Sequence, residues 1–121
     1  MKNTLSILFL LYSVFTFSQN QEIGQNFVET LLVEKNFEKA LTFLDNSIKD
    51  KVTIDLLSKT STQLDAQLGA YQNTISVTNK GAVFSYYTQF KNMALDFDIK
   101  FKEDKIVSFF LKPHQEVNAN D

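Results

Sequence analysis

The chain has 121 residues, of which 44% are hydrophobic and 21% are charged, and its formal net charge is −2. This length and composition are typical of one folded domain. The absence of cysteine excludes disulfides, thiol nucleophiles and thiolate metal sites, and a single histidine leaves too few ligands for zinc. All 12 basic residues are lysine, and a slightly acidic chain without arginine is not expected to bind nucleic acid. We predict neither a metal site nor a cofactor.

The first 18 residues have the layout of a secretory signal peptide. A basic start, Met1–Asn3, precedes thirteen uncharged residues, Leu5–Phe17, and the small residues Thr16 and Ser18 lie three and one positions before a cleavage at Gln19. The alternative is a membrane anchor, but thirteen helical residues span only about 20 Å of the roughly 30 Å hydrocarbon layer. We therefore predict cleavage near Ser18 and a periplasmic or secreted product without a stable membrane anchor.

Helical periodicity covers the first half of the remaining chain. Apolar residues recur at helical spacing and predict an amphipathic helix over about 21–34. Asn36 is a suitable N-cap for a second, short helix that ends near Asp45. A third helix is predicted to begin after the N-cap residue Thr53 and to end at Gly69, where a glycine allows a positive φ angle.

After Gly69 the period of the apolar residues changes from about 3.6 to 2, which is typical of strands. Predicted turns at 79–81, 91–92 and 102–105 divide the segment into four strands. In the first strand the residues predicted to share one side are Tyr71, Ile75 and Val77. The third strand has the clearest alternation, and its predicted buried residues are Met93, Leu95, Phe97, Ile99 and Phe101.

Helices followed by strands with short turns predict an α+β fold. The N-terminal helices are expected to pack on one face of a curved, four-stranded antiparallel meander. The predicted organisation is a signal peptide over 1–18, a single α+β domain over 19–113 and a flexible polar tail over 114–121.

Three segments of the chain resemble a known family. They are Asn36–Asp45, which begins Asn-Phe-Glu-Lys-Ala, Gln67–Tyr71 and Phe101–Val107. Over about residues 25–113 the chain resembles the domain-of-unknown-function family 3887, which is similar to the cystatin-like cone folds of the nuclear-transport-factor superfamily. The resemblance implies a cystatin-like cone in an exported bacterial protein. Because the shared motifs are structural, it also implies an accessory or interaction module.

Three ionisable residues are candidates for catalysis. Asp96 and Asp98 lie two residues apart on the polar side of the third strand, where paired carboxylates can supply an acid and a base. We favour a solvated strand face instead, because catalytic carboxylates usually need burial to shift their pKa values. His114, the only imidazole, follows Pro113 in the polar tail without an orienting partner at motif spacing. We therefore predict no catalytic residue, and an enzyme is the less favoured alternative.

Aromatic residues suggest binding roles. Cone folds commonly bind apolar ligands between sheet and helices, and Tyr71 and Tyr86 are the candidates to line such a pocket; the alternative is a core position with a wet hydroxyl. We also predict an apolar patch suited to a homodimer or an exported protein partner, on the sheet side away from the helices or on the last strand, which is apolar on both sides. The residues of that patch are Val83, Tyr87, Val107, Phe109 and Leu111. The alternative is that the N-terminal helices cover these positions.

These features favour an exported, non-catalytic binding or interaction module that dimerises or docks a partner through its sheet. The alternative is a small cone-fold enzyme, or a carrier for an apolar ligand, and the enzyme needs a carboxylate or histidine beside a tyrosine in a cavity. An inhibitor of an exported hydrolase is a third hypothesis, based on fold analogy alone. It needs an exposed apolar loop, whereas the predicted turns at 79–81 and 102–105 are short and polar.

Overall fold

The computed structural model describes residues 19–114. Its elements, in chain order, are helix α1 over 19–29, which ends in a π-helical turn at Thr30–Glu34; helix α2, Phe37–Leu41; a 3₁₀ turn, Asn46–Ile48; helix α3, Ile54–Leu68; and strands β1, Tyr71–Lys80, β2, Val83–Phe90, β3, Ala94–Lys102, and β4, Lys105–Pro113. The predicted order of helices before strands is confirmed. The predicted signal peptide and residues 115–121 of the predicted tail lie outside the described residues.

Side-chain caps set the starts of α2 and α3 where the sequence predicts them. The Asn36 side chain accepts a hydrogen bond from a backbone N–H in the first turn of α2, and Thr53 does the same for α3. At the end of α3, Gly69 has a φ of 80°, and its N–H donates to a carbonyl of the last helical turn. Residues other than glycine rarely adopt a φ of that value, which explains why α3 ends at Gly69.

Helix α2 ends at Leu41, earlier than predicted, because the following segment pairs with β4. Leu44 forms a parallel bridge with Ile106. The Asp45 N–H donates to the Ile106 carbonyl at 2.8 Å, and the Ile106 N–H donates to the Phe43 carbonyl at 3.0 Å. These bonds satisfy backbone groups that a longer helix would satisfy internally. As a result, the first residues of β4 are hydrogen-bonded on the edge of the strand that does not pair with β3.

The four strands form one antiparallel sheet in the order β1-β2-β3-β4, which confirms the predicted meander. β1 and β4 are therefore its two edges. One side of the sheet, here called the inner face, packs against the helices, and the opposite side is called the outer face. β2 shows the strict alternation that this arrangement requires. Its buried inner-face residues are Phe84, Tyr86, Thr88 and Phe90.

An aromatic cluster around Phe27 joins α1 to the inner face. The Phe27 ring makes edge-on contacts with Phe43, Phe97 and Phe109 at centroid distances of 6.2, 6.3 and 5.2 Å. The residues predicted to be buried in the third strand are confirmed except Met93, which precedes β3 and is exposed. The buried inner-face residues of β3 are Leu95, Phe97, Ile99 and Phe101.

β1 departs from the predicted alternation. Two register shifts, both within residues 71–76, interrupt its pairing with β2. Each shift inserts one extra residue on β1, which reverses the side to which the following residues point. Tyr71, Thr74 and Val77 therefore lie on the inner face, and Ile75 is 51% exposed. The prediction that Tyr71, Ile75 and Val77 share one side is wrong for Ile75.

Candidate functional site

An open cleft of about 1000 Å³ lies between α1 and β1. One wall consists of polar α1 residues, namely Gln21, Glu22, Gln25 and Glu29. The other wall includes every residue from 71 to 77 of β1. Because successive side chains of a strand point to opposite faces, a cavity that contacts seven consecutive residues runs along the edge of the strand as well as its inner face. The cleft thus exposes the edge of β1 to a ligand.

A hydrogen-bonded network crosses from α1 to β1 at this cleft. The Gln25 side-chain amide donates to the Tyr71 hydroxyl at 3.1 Å and to the Glu29 carboxylate at 3.3 Å. The Tyr71 hydroxyl is also 2.8 Å from the Thr74 hydroxyl. Because Tyr71 accepts from Gln25, its own proton is available for Thr74. The network fixes the distance between the two walls, and it places Tyr71 in the cleft lining, at one of the two tyrosine positions that the sequence singles out.

Tyr86, the other predicted ligand-lining residue, lies outside this cleft. It is fully buried on the inner face of β2, and its hydroxyl donates to the Gln21 carbonyl at 2.8 Å. Burial raises the pKa of the Tyr86 hydroxyl, because ionisation would place a charge in the core. Gly24 of α1 lies directly against its hydroxyl. Tyr86 therefore holds α1 on the sheet and sets the distance between them. It offers no free surface to a ligand.

The ionisable side chains that line the cleft are acidic apart from the phenol of Tyr71. Glu22 and Glu29 both belong to α1, and neither lysine nor histidine contributes to the lining. The two carboxylates are seven residues apart, which corresponds to roughly 10 Å along a helix axis. An acid and a base that act on one atom must both lie within hydrogen-bond reach of it. Glu22 and Glu29 are therefore too far apart to act as an acid–base pair on one atom. Each carboxylate can instead bind a polar or cationic group.

On the outer face, the two aspartates of β3 are buried. Asp96 is 8% exposed and Asp98 is 4% exposed, so the prediction of a solvated strand face is wrong. Lys112 from β4 reaches Asp98 with an N–O distance of 3.1 Å, and the Nδ1 atom of His114 is 2.7 Å from Asp96. Lys112 of β4 and His114, which directly follows β4, thus cover both carboxylates and pair with them.

His114 is part of this layer and is not the exposed tail residue that the sequence predicts. Its ring stacks on Tyr87 with a centroid distance of 3.6 Å and an interplanar angle of 8°. Together with the bond to Asp96, this contact holds the end of β4 against the sheet. Among residues 19–114, no nucleophilic side chain hydrogen-bonds to the ring. Within the described residues, the His114 ring thus contacts Asp96 and Tyr87 on the outer face.

The five residues predicted to form one apolar patch lie on different parts of the sheet. Val83 and Tyr87 lie on the outer face, as predicted. Phe109 and Leu111 pair with core residues of β3 and lie on the inner face, so the prediction of a single patch is wrong. The cause is a register shift in which Val107 is the extra residue of β4. Val107 and Phe109 instead line a smaller groove, of about 300 Å³, beside α3.

Comparisons with known proteins add no assignment: no family model, no curated protein and no solved structure matches the chain. The resemblance to family 3887 stays a prediction. Over residues 19–114, no helix combines the length and apolar character needed to cross a membrane. The same residues contain no group of three or more histidine, aspartate or glutamate side chains placed to hold a metal ion.

Proposed function

We propose that the protein is an exported, non-catalytic binding module that holds its ligand in the cleft between α1 and β1. The observation that carries the proposal is the cleft itself. Its volume of about 1000 Å³ is at the upper end of the range for ligand pockets, and its walls carry amide, hydroxyl and carboxylate groups with free surface. The lining also includes Ile75, Val77 and Phe84, so the cleft suits a ligand with both polar and apolar surface.

The choice of binding over catalysis depends on which groups share the cleft. A histidine–aspartate pair such as His114 and Asp96 is a familiar combination in enzymes, but here the histidine ring stacks on Tyr87 and links the end of β4 to β3. The cleft lies at the β1 edge, whereas this pair involves β3 and the end of β4. The groups best suited to proton transfer and the space best suited to a ligand are therefore in different places.

Export and the finer identity of the fold are part of the same proposal. The pattern of residues 1–18 supports export through a cleaved signal peptide. Helices on one face of a meander, with a cleft between sheet and helix, support a cystatin-like cone of the family 3887 type. Amino-terminal sequencing of the mature protein tests the export part, with Gln19 as the expected first residue.

A tryptophan in the cleft is expected to displace the ligand. Glu22 is an exposed α1 residue of the cleft lining, so Glu22→Trp fills the space with little effect on the core. Native mass spectrometry of the protein purified from its own host measures the result. We expect added mass on the wild-type protein, from a retained ligand, and its loss in Glu22→Trp.

The matched control is Asn26→Trp, which adds the same side chain at another exposed position of α1, outside the cleft lining. This variant is expected to retain the same added mass as the wild type. The proposal is contradicted if the wild-type protein carries no added mass, or if all three proteins carry it equally.

Docking of a second copy through the outer face is a second candidate function. Phe110 is 53% exposed on that face, which it shares with Val83 and Tyr87. Exposed aromatic side chains are a common feature of interfaces. Light scattering at high micromolar concentration is expected to show a dimer for the wild type and a monomer for Phe110→Asp. A wild-type monomer under these conditions rules this candidate out.

A further inference from the structure

We infer that the cleft receives an extended polypeptide segment with basic side chains, which pairs with the free edge of β1. This inference rests on the proposed binding function of the cleft and names its ligand class. It combines three observations: the unpaired edge of β1, the course of the cleft along that edge, and the acidic wall opposite.

The two edges of the sheet differ in how they are covered. Segment 43–45 bonds to the start of the β4 edge. β1 pairs only with β2 within the described part of the chain, so the backbone groups on its other edge have no strand partner there. An exposed edge with free N–H and C=O groups is a template for adding another strand.

The cleft follows this edge over a length suited to a short peptide. It contacts residues 71–77 without a gap, and seven extended residues span roughly 23 Å. The two register shifts in this stretch make the edge irregular. Irregular edges resist indiscriminate strand addition, so a matching segment needs side-chain contacts in addition to backbone pairing.

The wall opposite β1 supplies side-chain contacts for basic residues. Glu22 and Glu29 of α1 line it, and no lysine of this chain contributes to the lining. Glu29 accepts a hydrogen bond from Gln25, which leaves its second oxygen for a ligand, and Glu22 is exposed. Two lysine or arginine side chains on the added strand can therefore each pair with one of these carboxylates, which lie roughly 10 Å apart along the helix axis.

Designed peptides test both parts of the inference by titration of the isotope-labelled full-length protein, followed by amide chemical shifts. The probes are a capped heptapeptide of alternating threonine and lysine, and its glutamate counterpart. Two further lysine peptides are N-methylated at every second backbone amide. One carries the methyl groups on the odd-numbered residues and the other carries them on the even-numbered residues. We expect the lysine peptide to shift amides of residues 71–79 and to bind at least about tenfold more tightly than the glutamate peptide.

At least one N-methylated peptide is expected to lose binding, because the methyl group removes the donors needed for strand pairing. Glu22→Gln is expected to weaken the lysine peptide about two- to fivefold. The control, Glu38→Gln, removes an exposed carboxylate of α2 that does not line the cleft and is expected to have no effect.

The inference is overturned if no peptide binds, if both charge types bind equally, or if both methylated peptides bind like the parent. A small molecule retained by the wild type and lost in Glu22→Trp, with no peptide binding, overturns strand pairing and leaves the proposed function standing. Failure of both the peptide titration and the native mass measurement removes both proposals.

Discussion

Phe27→Ala is expected to lower the free energy of unfolding by about 3–5 kcal/mol, the range for truncating a buried phenylalanine. Phe27 is fully buried and its ring contacts three other aromatic rings, from the segment after α2 and from strands β3 and β4. Removing the ring leaves a cavity between α1 and the sheet. A domain of this size has only about 5–15 kcal/mol of stability, so the variant is expected to be near its unfolding threshold.

Urea denaturation followed by far-ultraviolet circular dichroism measures this loss. Phe110→Ala is the matched control, since it removes the same side chain from a position that is half exposed on the outer face. Its expected cost is below about 1 kcal/mol. Equal destabilisation by the two substitutions contradicts the packing of α1 on the inner face.

Gly24→Ala is expected to destabilise the protein by about 2–3 kcal/mol, although alanine is normally the better helix residue. A Cβ atom at position 24 would lie 2.0 Å from the Tyr86 hydroxyl oxygen and 2.5 Å from the adjacent ring carbon. Tyr86 is fully buried and its hydroxyl is hydrogen-bonded to the Gln21 carbonyl, so the ring cannot move aside to make room for the added atom. Either α1 lifts from the sheet or the hydroxyl loses its partner, and both changes cost stability.

A double-mutant cycle with Tyr86→Phe separates the clash from other effects. Tyr86→Phe alone is expected to cost about 1 kcal/mol, because it removes a buried hydrogen bond. In the double variant the clash with oxygen disappears and the contact with the ring remains, so the combined cost is expected to be less than the sum. A stabilising Gly24→Ala, as on an exposed helix, contradicts the close approach of α1 to Tyr86.

Phe27→Ala and Gly24→Ala are also expected to affect ligand binding, because α1 forms one wall of the cleft. Tyr86 and the cluster around Phe27 set the height of α1 above the sheet, and the bond from Gln25 to Tyr71 sets its distance from β1. A variant that remains folded but shifts α1 is therefore expected to bind ligand more weakly. Sequence features that look purely structural thus determine the width of the candidate site.

The sequence predicts the coarse fold well where local chemistry decides it. The caps Asn36 and Thr53 and the terminating Gly69 define helix ends through bonds made within a few residues. The alternation in β2 and β3 defines the buried face, because one side of each strand must pack against the helices. These signals need no knowledge of distant residues.

Features that depend on pairing between strands were not predictable in the same way. The register shifts in β1 and β4 carry no glycine or proline signal, yet they determine that Thr74 faces inward and that Phe109 belongs to the core. The early end of α2 depends on bonds from Asp45 to Ile106, more than sixty residues away. Such contacts become visible only once the register of the sheet is known.

The candidate site was predicted only in part. Tyr71 is recognisable as an aromatic residue at the start of a strand, and it does line the cleft. The polar α1 residues of the opposite wall look like an ordinary solvated helix face in the sequence. The sequence does not reveal the burial of Asp96 and Asp98, because that burial arises from Lys112 of β4 and from His114 beyond it, which lie across the outer face.

The most direct test of the binding site is the comparison of retained mass among wild type, Glu22→Trp and Asn26→Trp, all purified from the native host. We expect a bound species on the wild type and on Asn26→Trp, and none on Glu22→Trp. Retention of the same species by Glu22→Trp would place the ligand elsewhere and contradict the assignment of the cleft.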